Sequence, residues 1–280
     1  MELTDTQSEA EFRTVVREFI DEHGPSARGD GGEFDGGWSP EAQHGGPPTG
    51  LLARCIEQVA VPSAMEVVRL TVDLFREVPL TPLTVETRVL REGRRIQIVA
   101  ASLISQDIEV ARARGLKIRT AELALPPSPN PPWEPVPGPD EAEPVDWRNA
   151  GVAWGTHPRF HLNAVEIRSI DDSFLTPGPG LSWFRLRFPV VAGEPSTPLV
   201  RMAALADMGN GNSQSIDAAE WLYVNPDLTL HLHREVEGEW LGMRSIARQH
   251  DTGVGFADTE LFDQRGPIGR VAQAQLIQPH

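Results

Sequence analysis

Nine residues of this chain are written twice. Leu70–Val78 reads LTVDLFREV and Leu228–Val236 reads LTLHLHREV, six of nine positions identical at a separation of 158 residues. The same offset continues downstream without insertion. Arg91–Gln106 lies over Gln249–Gln264, and Glu109–Ala113 falls on Pro267–Val271, placing Arg112 on Arg270. Two amphipathic strands can agree over nine residues by chance, but one register held over about fifty marks an internal duplication.

Periodicity says what the repeated unit is. From Val67 to Ile118 the pattern has period two: Leu70, Val72 and Leu74 alternate with Thr71, Asp73 and Phe75, and further strands follow at 83–91, 95–105 and 108–118. Glu92-Gly93 and Gln106-Asp107 stand where hairpin turns belong. Ahead of these strands comes His44-Gly45-Gly46-Pro47-Pro48-Thr49-Gly50, then the apolar helix LLARCIEQVA. A loop this rich in glycine and proline at a helix start either offers backbone N–H groups to an anion or carbonyl oxygen, or is a turn that packs tightly on its neighbour. In the second half, Phe160–Ile170 and Leu181–Val190 alternate like strands. Pro198–Leu205 then opens a helix running into Ala206-Asp207-Met208-Gly209-Asn210-Gly211-Asn212-Ser213, and strands resume near Glu220. Each half thus reads helix, then antiparallel strands, and such a sheet buries its apolar face by wrapping the helix. The fold class is α+β. Residues 7–23 have helical spacing, and Ser39-Pro40-Glu41 is a helix start. Nine prolines between 124 and 146 make that stretch a semi-extended linker, because proline removes a ladder donor and disfavours helix before it. The chain therefore divides into an N-terminal unit with its leading helix (1–123), the linker (124–146) and a C-terminal unit (147–280).

Composition excludes whole classes of function. Net charge is −15, against duplex nucleic acid or an anionic membrane surface as partner. No apolar run approaches the roughly 18 residues of a membrane span, and the acidic start MELTDTQSEAEF is unlike a signal peptide, which points to the cytoplasm. Cys55 is the single cysteine, so an internal disulfide and a cysteine-rich metal site are excluded. His231 and His233 share a strand face but lack a third ligand, and GNGNSQ (209–214) lacks the lysine of a phosphate loop. No metal and no cofactor are expected.

At the 158 offset, the second copy carries polar groups where the first is bland: Asp207 over Thr49, Asn225 over Val67 and Gln273 over Gly115. A carboxylate on a helix that the sheet should bury is costly unless paired or used. The alternative is that Asp207 caps or hydrogen-bonds locally, with Asn225 and Gln273 as ordinary strand-end polar residues.

HGGPP (44–48), ADMGNGNS (206–213), NPDLTLHLHR (225–234) and GPIGRVAQ (266–273) resemble the TesB-like acyl-CoA thioesterases (acyl-CoA thioesterase II), over about Trp38 to Ile277. That resemblance implies a double hotdog, two tandem repeats each wrapping a long helix in an antiparallel sheet. It implies hydrolysis of acyl-CoA, or of an acyl carrier protein thioester, and leaves open a homodimer or a higher oligomer of such chains. In that family a helix Asp, a strand Thr or Asn and a Gln near the C-terminus form the site; these match Asp207, Asn225 and Gln273. Asp207 would act as the base on water, with partial burial raising its pKa toward a useful range, while Asn225 and Gln273 orient that water. Gly45 and Gly46 are the candidate oxyanion donors. HGGPP also resembles the active loop of hotdog dehydratases and hydratases, so His44 with Asp207 could instead add or remove water. A non-catalytic acyl-thioester binder is the third expectation. Arg94, Arg95, Arg244 and Arg248 are candidates for the coenzyme A phosphates.

Overall fold

The computed structural model describes residues 42–126, 133–146, 159–170, 174, 176–217 and 220–279; the helix expected at 7–23 and the helix start at Ser39–Glu41 lie outside the described residues. In chain order the first half comprises β1 (Ala42–Gln43), α1 (Gly46–Gln58), β2 (Met65–Leu74), β3 (Val78–Pro79), β4 (Thr84–Arg91), β5 (Ile96–Ser105) and β6 (Ile108–Arg119). After it come β7 (Glu143–Pro144), a π-helical turn (Phe160–Ala164), β8 (Val165–Ser169), β9 (Gly180–Leu186), α2 (Pro198–Ala206) and α3 (Met208–Asn212). The chain closes with β10 (Trp221–Val224), β11 (Asp227–Leu232), β12 (Leu241–Gln249), β13 (Val254–Asp263) and β14 (Gly266–Pro279).

The prolines of HGGPP belong to the helix rather than to a loop before it. Pro47 and Pro48 occupy the first turn of α1, where the missing N–H would have no intrahelical partner and the fixed φ suits the helix. The turn expected at Gln106-Asp107 is a two-residue hairpin loop, with φ of 49° and 64°, the left-handed values that match the twist of the flanking strands.

One antiparallel sheet runs in the order β4-β5-β6-β2-β11-β14-β13-β12-β9-β8-β7, with β10 added against β14. The two repeats meet at the middle, where β2 pairs with β11, and there the duplication becomes geometric. Thr71 lies opposite Thr229, and Leu70 opposite Leu230. A repeat unit 158 residues later pairs with itself about that point, so a pseudo-twofold axis passes between the two threonines, whose hydroxyls are 3.4 Å apart. Joining the repeats this way removes an exposed edge from each.

Inside the curve of the sheet lie α1 and α2, antiparallel to each other: the start of α1 meets the end of α2 at Gly46 and Ala204, and its end meets the start of α2 at Glu57 and Thr197. They approach closely through small residues, so that a Cβ on Gly50 would sit 3.0 Å from that of Ala204. Leu52, Ala53, Ile56, Met202, Ala203 and Leu205 pack beneath the alternating inward residues Val99, Ala101 and Leu103 of β5 and Leu228 and Leu230 of β11.

The helices do not keep the offset of the strands. They begin at Gly46 and Pro198, six residues short of 158. A Cβ on Gly115 would strike Ile56, whereas Gln273, its strand counterpart, touches Asp207 and the place of a Gly209 Cβ. Asp207 therefore corresponds to the Ile56 region and not to Thr49; a longer connection from α3 to β11 absorbs the difference.

Two other segments depart from their sequence pattern. Phe160–Ala164 alternates like a strand but forms a π-helical turn, because Asn163 bonds back to Arg159 twice, through its N–H (2.9 Å) and its Oδ1 (2.8 Å). Such local side-chain bonds compete with a ladder. In the proline-rich stretch, residues 133–146 include a turn at 139–142 and lie on the second repeat: Trp183 Nε1 donates to Pro137 O at 2.9 Å, and Trp133 packs on Phe262. Among the described residues no helix is long and apolar enough to cross a membrane.

Candidate active site

Asp207 falls at the break between α2 and α3, where the chain remains helical (φ −63°, ψ −21°) but the regular hydrogen bonding lapses. Its carboxylate is buried, with 2% of the side chain exposed. The first repeat reaches it with His44, on the two residues between β1 and α1: His44 Nδ1 is 2.8 Å from Oδ2. From the link between β10 and β11, Asn225 Nδ2 donates to Oδ1 at 2.6 Å. The Gly46 N–H also bonds the carboxylate. That amide lies 3.1 Å from His44 Nδ1 as well. One ring nitrogen cannot both donate and accept, and a carboxylate is the stronger acceptor. His44 therefore carries its proton on Nδ1, toward Asp207, and the Gly46 N–H lies within reach of both.

These donors decide the charge state. Burial is the largest single influence and pushes the Asp207 carboxyl up, yet His44, Asn225 and Gly46 together outweigh it and hold the carboxyl below the usual carboxylate range. The expectation that partial burial would raise its pKa is overturned: hydrogen bonds to the anion win over desolvation. Asp207 is an anion whose oxygens are largely spoken for.

Gln273, on β14, completes the floor. Its Nε2 is 3.4 Å from the Asp207 backbone oxygen, and its Oε1 is buried without a hydrogen-bond partner among the described residues. Gly209 leaves room there, since a Cβ on it would lie 2.9 Å from that oxygen. Gly45 is held just as closely on the other side, its Cβ position 2.8 Å from Asp207 Oδ2. All six residues singled out in the sequence thus meet within one buried cluster: His44, Gly45, Gly46, Asp207, Asn225 and Gln273.

Both halves of the chain are matched by models of one family: its N-terminal domain over residues 34–117 and its C-terminal domain over residues 125–277, each described as acyl-CoA thioesterase. The chain belongs to the acyl-CoA thioesterase family. A putative thioesterase II from Thermobifida fusca shares its fold at 20% identity, with a TM-score of 0.67 over 88% of this chain and 91% of that one. An acyl-CoA thioesterase II, TesB2, from Mycobacterium marinum gives 0.61 at 16% identity, over 85% and 90%. A protein described as having a hot dog fold, from Alicyclobacillus acidocaldarius, gives 0.64 at 16% identity, over 94% and 98%. The double hotdog expected from the motifs is the fold of this thioesterase. No curated protein sequence matches it.

Several residues of the candidate site escaped the sequence reading. Phe160 covers His44 with ring centroids 5.1 Å apart, and His161 stands 5.8 Å from it. Burial, then His44 and Arg159, push His161 well below the ordinary histidine range, so it is neutral. Behind the site, Asn210 donates to Asn225, and Gln275 donates to Asn210. Gln275 was legible, because it follows Gln273 by two on one strand and must share its face. Elsewhere the other candidates separate. Arg244 is occupied by Glu260 at 2.8 Å and by the Trp133 ring, while Arg94, Arg95 and Arg248 are exposed. Burial pushes the Cys55 thiol up, which makes it a packing residue and a poor nucleophile. Among the described residues no group of three or more His, Cys, Asp or Glu side chains could hold a metal ion.

Proposed function

We propose that the His44–Asp207 pair activates water to hydrolyse an acyl-CoA or acyl carrier protein thioester to the free acid and a thiol. The observation that carries this reading is the 2.8 Å contact between a buried carboxylate from one repeat and an imidazole from the other. With its proton on Nδ1, the basic nitrogen of His44 is Nε2. That nitrogen takes a proton as water attacks the thioester carbon, and Asp207, kept ionised, stabilises the imidazolium. When the carbon–sulfur bond breaks, the imidazolium returns the proton to the leaving thiolate. This assigns the base to His44 and makes Asp207 its partner, because the Asp207 anion is already stabilised by three donors and is a weak base. Gln273 Oε1, a buried acceptor, suits the attacking water. With the Gly46 amide engaged by His44 and Asp207, the oxyanion falls to the Gly45 amide at the positive end of α1.

Thiol release from a panel of acyl-CoAs of increasing chain length tests the reading. Wild type should turn over some of them, and His44→Gln should lose roughly 10²–10⁴-fold in kcat, the range for removing a general base. Wild-type turnover by His44→Gln would return the base to Asp207. No thiol release from any substrate would sink the proposal, and loss of an enoyl-CoA without thiol release would assign the pair to water addition.

A further inference from the structure

Asn225 is the last link of a chain of side-chain amides that crosses the interior of the second repeat. Asn210 Nδ2, on α3, donates to Asn225 Oδ1 at 3.1 Å and to the Tyr223 backbone oxygen at 3.3 Å. Gln275 Nε2, on β14, donates to Asn210 Oδ1 at 2.6 Å. Gln249 Nε2, on β12, donates to Gln275 Oε1 at 3.1 Å. Asn210, Asn225 and Gln275 are all buried.

The direction of this chain is fixed from one end. An ionised carboxylate only accepts, so Asn225 must turn its NH₂ to Asp207 and its oxygen away. That oxygen then demands a donor, which orients Asn210; the Asn210 oxygen orients Gln275, and the Gln275 oxygen orients Gln249. The Tyr223 carbonyl, which can only accept, independently demands the same orientation of Asn210. Every amide therefore points its positive end toward Asp207. Hydrogen bonds in series polarise one another, so the final donor to the carboxylate is stronger and more firmly held than an isolated asparagine would be.

Room for this arrangement is built into the backbone. Gly255, opposite Gln275 across the β13–β14 pairing, has no Cβ, and one placed there would lie 2.5 Å from Gln275 Oε1. The first repeat has nothing equivalent: at the 158 offset Asn225, Gln249 and Gln275 become Val67, Arg91 and Lys117. Lys117 instead caps the end of α1 by donating to the Glu57 and Val59 backbone oxygens.

We propose that Asn210 and Gln275 are positioning residues for the reaction, acting through Asn225 to orient and stabilise the Asp207 carboxylate that holds His44. The inference rests on the hydrolytic reading above for its activity readout only.

Two changes at one position test it. Gln275→Met keeps the volume and removes both links; kcat should fall about tenfold, as for one charge-assisted hydrogen bond, with KM within about twofold. Gln275→Glu adds a pH signature. While protonated, the introduced carboxyl donates to Asn210 and accepts from Gln249, so the rate relative to wild type at the same pH should be near one at the acid end. Once ionised it can only accept. Asn210 must then turn, Asn225 must turn after it, and an oxygen faces Asp207; the relative rate should fall at least tenfold as pH rises. Gly255→Ala changes no hydrogen-bonding atom and should reproduce the Gln275→Met loss. A Gln275→Met enzyme with wild-type kcat, a loss confined to KM, or a flat Gln275→Glu ratio would overturn the proposal.

A second readout needs no turnover. Titration of the Asp207 carboxyl, followed by NMR, should move to higher pH in Gln275→Met, because the anion loses part of the support that Asn225 gives it. The other groups facing the pair, His161 and Arg159 behind it, are unchanged by the substitution. Should wild type hydrolyse no thioester, the hydrolytic reading fails while this titration still decides the amide chain; an unmoved titration overturns it.

Discussion

Asp207→Asn is expected to lower kcat for thiol release by about 10³–10⁴-fold while the protein remains folded. The size follows from what the carboxylate does for its partner: a neutral amide in place of the aspartate of such a pair leaves the geometry intact but allows the wrong imidazole tautomer. Here the amide of the introduced side chain could present its NH₂ to His44 Nδ1, which would move the ring proton to Nε2 and leave nothing to accept from water. It also abolishes the countercharge for the imidazolium. His44→Gln removes the base itself and should lose a comparable factor. If Asp207→Asn kept more than a tenth of the wild-type rate, the pair would not be the seat of catalysis, and the buried Asp207 would be a structural anion.

The same carboxylate gives the fold a pH dependence whose sign is set. Its folded-state pKa is held below the ordinary aspartate value, by His44, Asn225 and Gly46 against the opposing effect of burial. Such a group contributes stability that is fully present above the unfolded-state value and is lost as pH falls through the lower, folded-state value. Wild type should therefore lose stability across the acid range more steeply than Asp207→Asn does. Thermal unfolding of the two proteins from neutral pH downward measures this, and parallel curves would mean that Asp207 is not the depressed group.

What could be read from the chain, and what could not, divides along a physical line. Strand register survives duplication because each ladder position is fixed by two neighbours, so the 158 offset carries straight through to the self-paired threonines at 71 and 229. Helices inside a curved sheet can slide, and here a longer connection lets α2 begin six residues early relative to its sheet. Transferring the strand offset to the helices thus placed Asp207 over the wrong residue, although the polar residues it drew attention to do meet in one cluster. Phe160–Ala164 misled for another reason: apolar alternation suits a strand, and one asparagine bonding back to Arg159 was enough to close a turn instead. The charge state of Asp207 was out of reach of any local pattern. It depends on donors at His44, Gly46 and Asn225, which the fold brings together from two repeats.

Gly46 shows how far a backbone position can be misjudged from its loop. As an oxyanion donor it would contribute only its N–H, and alanine keeps that group. Yet its absent Cβ lies 2.5 Å from the Ala204 backbone oxygen and 2.7 Å from the Phe160 ring. Contacts under 3.0 Å are essentially never made by a real Cβ, and a backbone carbonyl in the last turn of α2 cannot turn aside as a flexible side chain can. Gly46→Ala must push α1 and α2 apart at the place where one repeat hands His44 to the other. A shift of about 1 Å in a reacting group costs on the order of 10²-fold in rate, and forcing a methyl into a filled core costs about 1–3 kcal/mol. The expected result is a kcat lowered roughly 10²-fold together with a fall in Tm, although no hydrogen bond has been removed. Gly45→Ala should be milder in stability, since its Cβ meets the Asp207 side chain at 2.8 Å and not backbone. Kinetics and thermal unfolding of the two variants side by side make the comparison. A Gly46→Ala protein with wild-type Tm and rate would mean that the helices have slack at their crossing, and that the glycine serves this thioesterase through its amide alone.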